Sequence, residues 1–349
     1  MDSIKVSVLV YCFNHEKYLA QCIESILMQE TTFNYEIIIH DDASSDESAE
    51  IINKYVKLYP EKVKCFIENS SLFYSDPYTF FYRHMMQLAK GKYIALAEGD
   101  DYWSNCNKLQ LQYELMEKHL ECSISVHNVW LYDCKNKKYM GIIPAKGVLH
   151  PHNNVVKSEK IIYRWIREGT FFSFNSYFIR RNTIEEENVP KFILQDYGID
   201  FVKVLEAMEK GNILHIPYEM AVKRVYNDGS LSHQNSEKNW EKIINSINNM
   251  IQTLKYFDEY SEYEYHKEIE NVILYNEIKK KLILCKCFDK YNNIDFYSGE
   301  IISSRNRRFF LVKNKILSIL TYSNLIYRWQ LNKTQKKLKS ALEKNYMNI

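Results

Sequence analysis

The 349-residue sequence lacks several features that identify whole classes of protein. None of its apolar runs reaches the roughly 18 residues that a membrane-spanning helix needs. The closest cysteine pair, Cys285 and Cys287, has the wrong spacing for a zinc knuckle, so we expect the eight cysteines to be free thiols in a reducing compartment. Residues 1–5 lead directly into an apolar strand, so we expect no signal peptide and a cytoplasmic location.

A glycine-rich phosphate loop is also absent. Neither G-x-G-x-x-G nor G-x-x-x-x-G-K-[ST] occurs, and the sequence contains nine glycines in total. A site that binds a nucleotide in this chain therefore needs another way to neutralise the phosphates. The hydrophobic content of 46% and the charged content of 26% are typical of a soluble globular protein. The length exceeds that of one typical core, which predicts one large domain with an appendage.

The basic residues are concentrated at one end of the chain. The net charge is +2, but residues 303–349 contain eleven Lys or Arg and a single acidic residue. Such an end usually has a charged partner. One interpretation is peripheral contact with an anionic membrane. The other is a helical cap on the main domain, which could also form a homo-oligomer. No recognised nucleic-acid-binding module accompanies the charge, so we expect no nucleic-acid partner.

The first hundred residues alternate between predicted strands and predicted helices. Apolar runs predict strands at Val6–Val10, Tyr35–Ile39, Val63–Ile67 and Tyr93–Ala97. Amphipathic helices are predicted between them, with Asn14 as the N-cap of the first. This alternation predicts a parallel sheet with helices on both faces.

The pattern changes in the second part of the chain. Cys122–Tyr139 has a period close to two and Phe171–Ile179 is strand-like, which predicts a mixed sheet. A helix is predicted at Ile199–Lys210, followed by a short strand at Ile213–Pro217. Beyond residue 232 the apolar residues follow a helical spacing, so we expect a domain boundary near that residue.

Carboxylates follow two of the predicted strands at the point where each ends. Asp41 and Asp42 come directly after the second strand, and Glu98, Asp100 and Asp101 follow the fourth. The carboxyl ends of parallel strands meet at one edge of the sheet, where α/β proteins bind ligands, so these side chains should surround one crevice. Neighbouring carboxylates repel one another unless they share a cation, and hard oxygen ligands suit Mg²⁺ or Mn²⁺ on a diphosphate. The alternative is an acidic surface turn.

Three segments resemble the opening motifs of family-2 glycosyltransferases, in the order and near the spacing of that family. They are Val6–Leu19, Glu36–Asp46 and Gly91–Trp103. Asn105–Leu109 and His127–Val129 are similar to the branch of the family that acts on bacterial surface polysaccharides.

The resemblance implies an α/β fold of the GT-A type with a mixed, mostly parallel central sheet. It implies a catalytic domain at residues 1–232, with a nucleotide-binding half at 1–120 and an acceptor half at 121–232, and a C-terminal helical extension at 233–349. The implied activity is a metal-dependent, inverting transfer from a nucleotide-diphosphate sugar, expected to be a UDP-sugar. The implied acceptor is a hydroxyl of a glycan or lipid-linked saccharide, which would suit the inner face of the membrane.

The resemblance also assigns roles to the residues at the predicted crevice. Asp42 would contact the base, with Tyr11 and Asn14 lining the same pocket, and Asp100 would approach the ribose. Asp101 would hold the Mn²⁺ or Mg²⁺ on the diphosphate.

Two further residues receive roles from later in the chain. Asp200, eleven residues before Gly211, matches the family's catalytic base, and Asp196 is a weaker candidate. The alternative for Asp200 is an acidic residue that the dipole favours at a helix N-terminus. Arg224 would contact phosphate.

Two positions depart from the family pattern. Ile199 precedes Asp200 where many relatives have a glutamate, and Tyr226 stands where relatives often have the histidine of an Arg-Val-His segment. A tyrosine cannot replace a neutral imidazole as a metal ligand at pH 7. Either the metal is held less tightly or His233 substitutes; the alternative for His233 is a solvated loop residue.

Two other functions remain open. A sugar nucleotidyltransferase would share the fold type and the acidic site, but it needs a glycine-rich, basic first loop, and residues 11–17 contain no glycine and one lysine. A non-catalytic sugar-nucleotide-binding protein is the second alternative. The carboxylates at positions 42, 100, 101 and 200 argue against it.

Overall fold

A computed structural model of the chain describes residues 3–72, 84–144, 155–184, 189–195, 198–226 and 240–284. Its strands are β1 (Val6–Cys12), β2 (Tyr35–Asp41), β3 (Val63–Ile67), β4 (Tyr93–Glu98), β5 (Tyr102–Trp103), β6 (Cys122–Asp133), β7 (Lys138–Ile143), β8 (Val155–Val156), β9 (Phe178–Arg180) and β10 (Asn212–Val225). Its α-helices are α1 (Leu19–Leu27), α2 (Ser48–Leu58), α3 (His84–Leu88), α4 (Lys108–Lys118), α5 (Ser158–Glu168), α6 (Ile199–Lys210), α7 (Trp240–Tyr260) and α8 (His266–Leu284).

Within these residues the ten strands form one mixed sheet. Its order is β3-β2-β1-β4-β9-β6-β10-β5, with β7 beside β6 and β8 beside β10. Strands β3, β2, β1 and β4 are parallel to one another, β9 is antiparallel to both of its neighbours, and β6 and β10 are parallel. The predicted parallel first half followed by a mixed second half is therefore confirmed.

Strands β1, β2 and β4 are buried on both faces, which explains why they appear in the sequence as mainly apolar runs. All seven residues of β1 are buried. Leu9 and Leu96 belong to the apolar cluster on one face of the sheet, together with residues of α5, α6 and α7. Val10 and Ala97 belong to the cluster on the other face, together with residues of α1 and α2.

Two predictions of local structure near the acidic edge of the sheet are wrong. Helix α1 begins at Leu19 with Tyr18 at its N-cap, so Asn14 is not a helix cap; Asn14 instead has a positive φ of 56°. Phe171–Ile179 contains a 3₁₀ turn at Phe174–Ser176 before the short strand β9. The positive φ of Asn14 and the buried 3₁₀ turn at Phe174–Ser176 are backbone features that a pattern of apolar residues does not reveal.

The strand predicted to stop at Pro217 continues to Val225 as part of β10. The register of β10 against β6 shifts between Ile216 and Glu219, so Pro217 falls in a bulge and need not donate a ladder hydrogen bond. The strand therefore reaches the edge of the sheet that carries Glu98 and Asp101, and Lys223 and Arg224 lie there.

The chain divides into two compact units, Met1–Glu277 and Ile278–Ile349. In the first unit, Leu254 and Phe257 of α7 belong to the same apolar cluster as the side chains of α6, so this unit continues past the boundary expected near residue 232. The basic segment 303–349 lies outside the described residues. No α-helix in the described part of the chain has both the length and the apolar character needed to cross a bilayer.

Glu36 joins the amino-terminal ends of three strands from a buried position in β2. Its Oε1 accepts hydrogen bonds from Ser7 Oγ (2.7 Å) and from the backbone N of Lys90 (2.6 Å). Its Oε2 lies 2.6 Å from Lys64 Nζ. The side chain is 1% exposed. One carboxylate therefore fixes the turn that leads into β4, at the end of the sheet opposite the acidic residues.

Glu36→Leu should lower the free energy of unfolding by about 3 kcal/mol, because it leaves a lysine, a hydroxyl and a partly buried backbone N–H without their shared acceptor. Urea denaturation of both proteins measures the difference. Glu121→Ala is the control, because the side chain of Glu121 is half exposed and pairs with His119, which is one-third exposed. A change below about 0.5 kcal/mol is expected there. Equal stabilities of wild type and Glu36→Leu would contradict this role of Glu36.

Candidate active site

The acidic residues after β2 and β4 lie at the same edge of the sheet. Both strands border β1 in parallel, with Cys12 opposite Asp41 and Tyr11 opposite Glu98. Neighbouring strands are about 4.8 Å apart, so the ends of β2 and β4 are separated by about 10 Å. The carboxylates that follow these two strands therefore border one crevice, as the sequence predicts.

The acidic turn after β4 is held close to the end of β1. The backbone N of Gly99 donates to Tyr11 O (2.7 Å), and the backbone N of Asp101 donates to Glu98 O (3.0 Å). A Cβ atom at Gly99 would lie 2.8 Å from His15 Nδ1 and 3.0 Å from Tyr11 O. Glycine is therefore required here, because any side chain would push the acidic turn away from β1.

Asp101 is almost completely buried, with 1% of its surface exposed. Its Oδ2 accepts a hydrogen bond from Asn175 Nδ2 (2.5 Å), and its Oδ1 accepts one from the backbone N of Arg224 (2.6 Å). Burial, followed by the carboxylates of Asp100 and Glu98, raises the pKa of Asp101 well above its ordinary value. A cation bound here would relieve this repulsion.

The donor set at Asp101 fits a divalent cation that takes most of its ligands from a substrate. Each carboxylate oxygen has a second lone pair besides the one used for its hydrogen bond. The described ranges contain no cluster of three His, Cys, Asp or Glu side chains that could hold a metal. One or two carboxylates completed by diphosphate oxygens and water is a usual arrangement for Mg²⁺.

Lys223 brings a positive charge into this acidic crevice from β10. Its Nζ lies 3.3 Å from Glu98 Oε2, and each side chain is about one-third exposed. The carboxylate of Glu98 raises the pKa of Lys223 against the effect of burial, and Asp101 and Asp200 act in the same direction. Lys223 is therefore charged and offsets part of the negative charge of the crevice.

Asp200 lies in the first turn of α6. Burial, followed by the carboxylate of Glu98, raises the pKa of Asp200 to about 7, while Lys223 acts in the opposite direction. The Asp200 carboxylate also contributes, after burial, to the raised pKa of the Tyr11 hydroxyl, so Asp200 lies near the end of β1. A carboxyl group with a pKa close to 7 is suited to accept a proton at physiological pH.

Arg224 is used mainly to hold the acidic turn. Its guanidinium donates to Asp100 O (2.5 Å) and to Gln21 Oε1. It also contacts two aromatic rings, with its guanidinium carbon 4.8 Å from the centroid of Tyr18 and 4.7 Å from that of Tyr102. Its predicted phosphate contact stays a prediction, and 8% of the residue is exposed.

Two loops at this edge, residues 13–16 and 41–48, are joined by reciprocal hydrogen bonds, and we call them the tip loops. Backbone N–H groups of the first loop donate to side chains of the second: Asn14 to Ser44 Oγ (2.8 Å), His15 to Ser48 Oγ (3.0 Å) and Glu16 to Asp46 Oδ2 (2.9 Å). Backbone N–H groups of the second donate to side chains of the first: Ser45 to Asn14 Oδ1 (2.8 Å) and Glu47 to Glu16 Oε2 (3.0 Å). Each loop thus satisfies the backbone of the other.

Asp42 lies at the adjoining strand end and is 2% exposed. Its two carboxylate oxygens accept hydrogen bonds from Ser71 Oγ (2.6 Å) and from the backbone N of Leu72 (2.6 Å). The side chain therefore fixes residues 71 and 72 beside the end of β2. Its predicted contact with a nucleotide base stays a prediction.

The structure brings most of the predicted site residues together. Tyr11, Asp100, Asp101, Asp200 and Arg224 surround the ends of β1 and β4 through the contacts above. Asn14 and Asp42 lie at the neighbouring strand end. Tyr226 follows β10 with a positive φ of 57° and is 38% exposed. Asp196 and His233 lie outside the described residues.

Sequence reasoning missed three polar residues of this site. Asn175 bridges the two acidic positions, because its Oδ1 also accepts from the backbone N of Glu98 (2.9 Å). Lys223 pairs with Glu98. Burial and the carboxylates of Asp200 and Glu98 raise the pKa of Tyr177, which places its hydroxyl near both groups. The signal for Asn175 is the polar pair Asn175-Ser176 inside the aromatic run that begins at Phe171.

Residues 7–188 match the family model described as Glycosyl transferase family 2, which is slightly more than half of the chain. The chain belongs to glycosyltransferase family 2. It is 31% identical over 148 residues to the putative glycosyltransferase EpsE of Bacillus subtilis, which covers 42% of this chain and 51% of EpsE. It is 34% identical over 112 residues to the UDP-Glc:alpha-D-GlcNAc-diphosphoundecaprenol beta-1,3-glucosyltransferase WfaP of Escherichia coli, covering 32% of this chain and 41% of WfaP. The chain thus spans about half or less of the length of these two relatives.

Two solved structures share the fold. S. aureus TarS 1–349 in complex with UDP-GlcNAc superposes with a TM-score of 0.52 at 14% identity, covering 82% of this chain and 81% of the TarS 1–349 chain. GalNAc-T7 with UDP, GalNAc and Mn²⁺ superposes with a TM-score of 0.51 at 15% identity, covering 72% of this chain and 48% of GalNAc-T7. The predicted GT-A-like fold is confirmed, and identities this low establish the fold alone.

Proposed function

We propose that the chain is an inverting, metal-dependent glycosyltransferase that moves a sugar from a UDP-sugar to a hydroxyl of a glycan or lipid-linked saccharide. The observation that supports this most directly is the difference between two carboxylates in one crevice. Asp101 is buried in the acidic turn after β4, and Asp200 at the start of α6 has a pKa of about 7. The first is suited to a cation and the second to a proton.

In the proposed mechanism Asp200 accepts the proton of the acceptor hydroxyl as that oxygen attacks the anomeric carbon from the face opposite the diphosphate. Asp100 and Asp42 would hold the nucleoside, with Tyr11 and Asn14 beside the base. Asp101 would hold Mn²⁺ or Mg²⁺, which supplies positive charge to the departing diphosphate when bound. Lys223 keeps Glu98 paired, so that Asp200 ionises near neutral pH.

The names of relatives support the choice of substrates. The E. coli relative is named for a UDP-Glc donor and a diphosphoundecaprenol-linked acceptor, and TarS was solved with UDP-GlcNAc. We propose donor and acceptor of the same two classes for this chain. Action at the inner face of the membrane would follow from a lipid-linked acceptor, with residues 303–349 as the proposed membrane contact.

The first tip loop disfavours a nucleotidyltransferase. A triphosphate loop offers its backbone N–H groups to the phosphates. Here the backbone N–H groups of Asn14, His15 and Glu16 already donate to side chains of the second tip loop. They are therefore not free to bind a triphosphate.

The test is to incubate the full-length chain with a panel of UDP-sugars and Mn²⁺ and to measure released UDP, with EDTA added in parallel. We expect slow hydrolysis of the matching donor, lost with EDTA. Release of pyrophosphate from UTP and a sugar 1-phosphate would instead indicate a nucleotidyltransferase. Binding of UDP-sugar without turnover, with or without acceptor saccharides, would indicate a non-catalytic protein.

The pH dependence of transfer should reflect Asp200. A general base acts in its ionised form, so activity should be present above pH 7 and fall as the pH decreases through about 7. Lys223→Met removes a charge that favours ionised Asp200, so the acid limb of kcat/KM should move to higher pH. Lys92→Met is the control. Lys92 precedes β4, at the opposite end of that strand from Glu98, and pairs with Glu117, so its replacement should leave the acid limb unchanged. An unshifted limb in Lys223→Met would contradict the electrostatic role of Lys223.

A further inference from the structure

Lys108, the first residue of α4, is a buried amine that the proposed mechanism does not use. It is 0% exposed. Its Nζ donates to Gln112 Oε1 (2.8 Å) and lies 3.9 Å from the centroid of the Trp103 ring. In the described part of the chain, no carboxylate pairs with it. Burial lowers the pKa of Lys108 well below its ordinary value. Burying an amine among neutral groups costs free energy, which its contacts must offset.

One set of contacts leads from Lys108 to Asn175. Gln112 Nε2 donates to Ser176 O (3.0 Å) and to Ser125 Oγ (3.1 Å). A glutamine amide has one accepting end and one donating end, so the Lys108 donor at Oε1 and the Ser176 carbonyl at Nε2 select the same orientation of the amide. Ser176 follows Asn175 in the 3₁₀ turn, and the Asn175 side chain binds both Asp101 Oδ2 and the backbone N of Glu98.

A second contact leads from Lys108 to the acidic turn itself. Trp103 lies two residues after Asp101, and the Lys108 amine lies over the face of its ring. Its backbone N donates to Ser25 Oγ (3.0 Å), which fixes the same residue to α1. Asp101 is thus held in place by Asn175, which binds its carboxylate, and by Trp103, which ends its own turn. Both supports converge on one buried amino group.

We propose that Lys108 is a positioning residue that sets the orientation of Asn175 and, through it, the direction in which the Asp101 carboxylate faces a cation-bound diphosphate. It touches neither donor nor acceptor. This inference rests on the proposed function. Residues behind the ligands of a metal typically change its affinity by about 10- to 100-fold when they are replaced, so a change at Lys108 should appear as a change in how strongly Mn²⁺ assists UDP binding.

The test is a double-mutant cycle with Lys108→Met, Asn175→Ala and the combined variant, using calorimetry of UDP binding with and without Mn²⁺. We expect Lys108→Met to weaken UDP binding about 10-fold in the presence of Mn²⁺ and to leave binding without Mn²⁺ unchanged. The combined variant should bind no more weakly than Asn175→Ala, because the two residues act in series. Additive effects, or an unchanged Mn²⁺ response in Lys108→Met, would overturn the proposal.

Gln29→Met is the matched control. Gln29 is 6% exposed, accepts from the backbone N of Leu109 (3.0 Å) and donates to Asn105 O (2.8 Å), so it supports the start of the same helix. Within the described residues, none of its hydrogen bonds reaches residues 173–176. It should lose stability but keep the wild-type Mn²⁺ response. If Lys108→Met does not fold, Gln112→Met interrupts the same series of contacts at its next member. It should weaken UDP binding in the presence of Mn²⁺ to the same extent.

A wild type that binds no UDP would refute the proposed function and not the positioning role. In that case the same cycle is measured by urea denaturation. A coupling between positions 108 and 175 in the free energy of unfolding would support the positioning role, and independent effects would overturn it.

Discussion

Asp200→Asn is expected to reduce sugar transfer by about 10²- to 10⁴-fold while leaving UDP binding unchanged. An amide cannot accept the proton of the acceptor hydroxyl, but it keeps the size of the side chain at the start of α6. Asp200 lies near Tyr11 and Glu98, and the proposed donor contacts are made by other residues. Initial rates with a UDP-sugar and acceptor, together with calorimetry of UDP and Mn²⁺, measure the two effects separately.

The stability of this variant provides an internal check. Because the pKa of Asp200 is raised to about 7, the folded protein binds a proton there that the unfolded chain has already released above about pH 4. Wild-type stability at this position therefore decreases as the pH rises from about 4 to 7. Asp200→Asn should be at least as stable as wild type at pH 8, and its advantage should disappear toward pH 4. Lost activity then reflects chemistry and not unfolding.

Asp196→Asn is the matched control for the catalytic base, because Asp196 is the other aspartate that the family resemblance allows. It should retain transfer. Loss of transfer in Asp196→Asn but not in Asp200→Asn would move the base to position 196. Loss of UDP binding in Asp200→Asn would instead assign Asp200 to the donor site.

Asp101→Ala is expected to reduce transfer by about 10³-fold and to abolish the strengthening of UDP binding by Mn²⁺. The substitution removes the buried carboxylate on which Asn175 and the backbone of Arg224 converge, and with it the proposed ligand of the cation. Calorimetric titration of UDP with and without Mn²⁺ gives the metal-dependent part of the binding free energy. This part should vanish, whereas it should survive in Asp200→Asn.

Asp100→Asn separates the two neighbouring carboxylates of the acidic turn. If Asp100 contacts the ribose, this variant should weaken UDP binding equally with and without Mn²⁺. An Asp101→Ala protein in which Mn²⁺ still strengthens UDP binding to the wild-type extent would show that the cation is held elsewhere. Because Asp101→Ala removes the acceptor of the Arg224 backbone N and the shorter of the two acceptors of Asn175 Nδ2, its thermal unfolding temperature must be compared with that of wild type.

The first half of the sheet was predictable because β1, β2 and β4 are buried on both faces. Continuous apolar runs therefore identified β1, β2 and β4, and parallel order brought Asp42 and Asp101 to one edge. The partners of these residues could not be predicted in the same way. Asn175 comes from a 3₁₀ turn inside an aromatic run, and the spacing of buried side chains does not distinguish such a turn from a strand.

The contribution of β10 was missed for a different reason. A proline commonly ends a strand. Nothing in the sequence around Pro217 indicates that β10 continues beyond a bulge there to Lys223. The register of the long pairing with β6 decides this, and that register depends on residues far away in the sequence. Contacts between distant segments therefore account for most of what sequence reasoning left out of the site.

The tip loops also limit how this protein can change in length. Each extra residue displaces the following backbone by up to 3.8 Å, which is more than a hydrogen bond can absorb. An insertion in residues 13–16 would detach several amides from Ser44, Asp46 and Ser48 at once. Grafting one of these loops from a related protein should therefore succeed only when its counterpart is transferred with it, so the two loops must be exchanged as a pair.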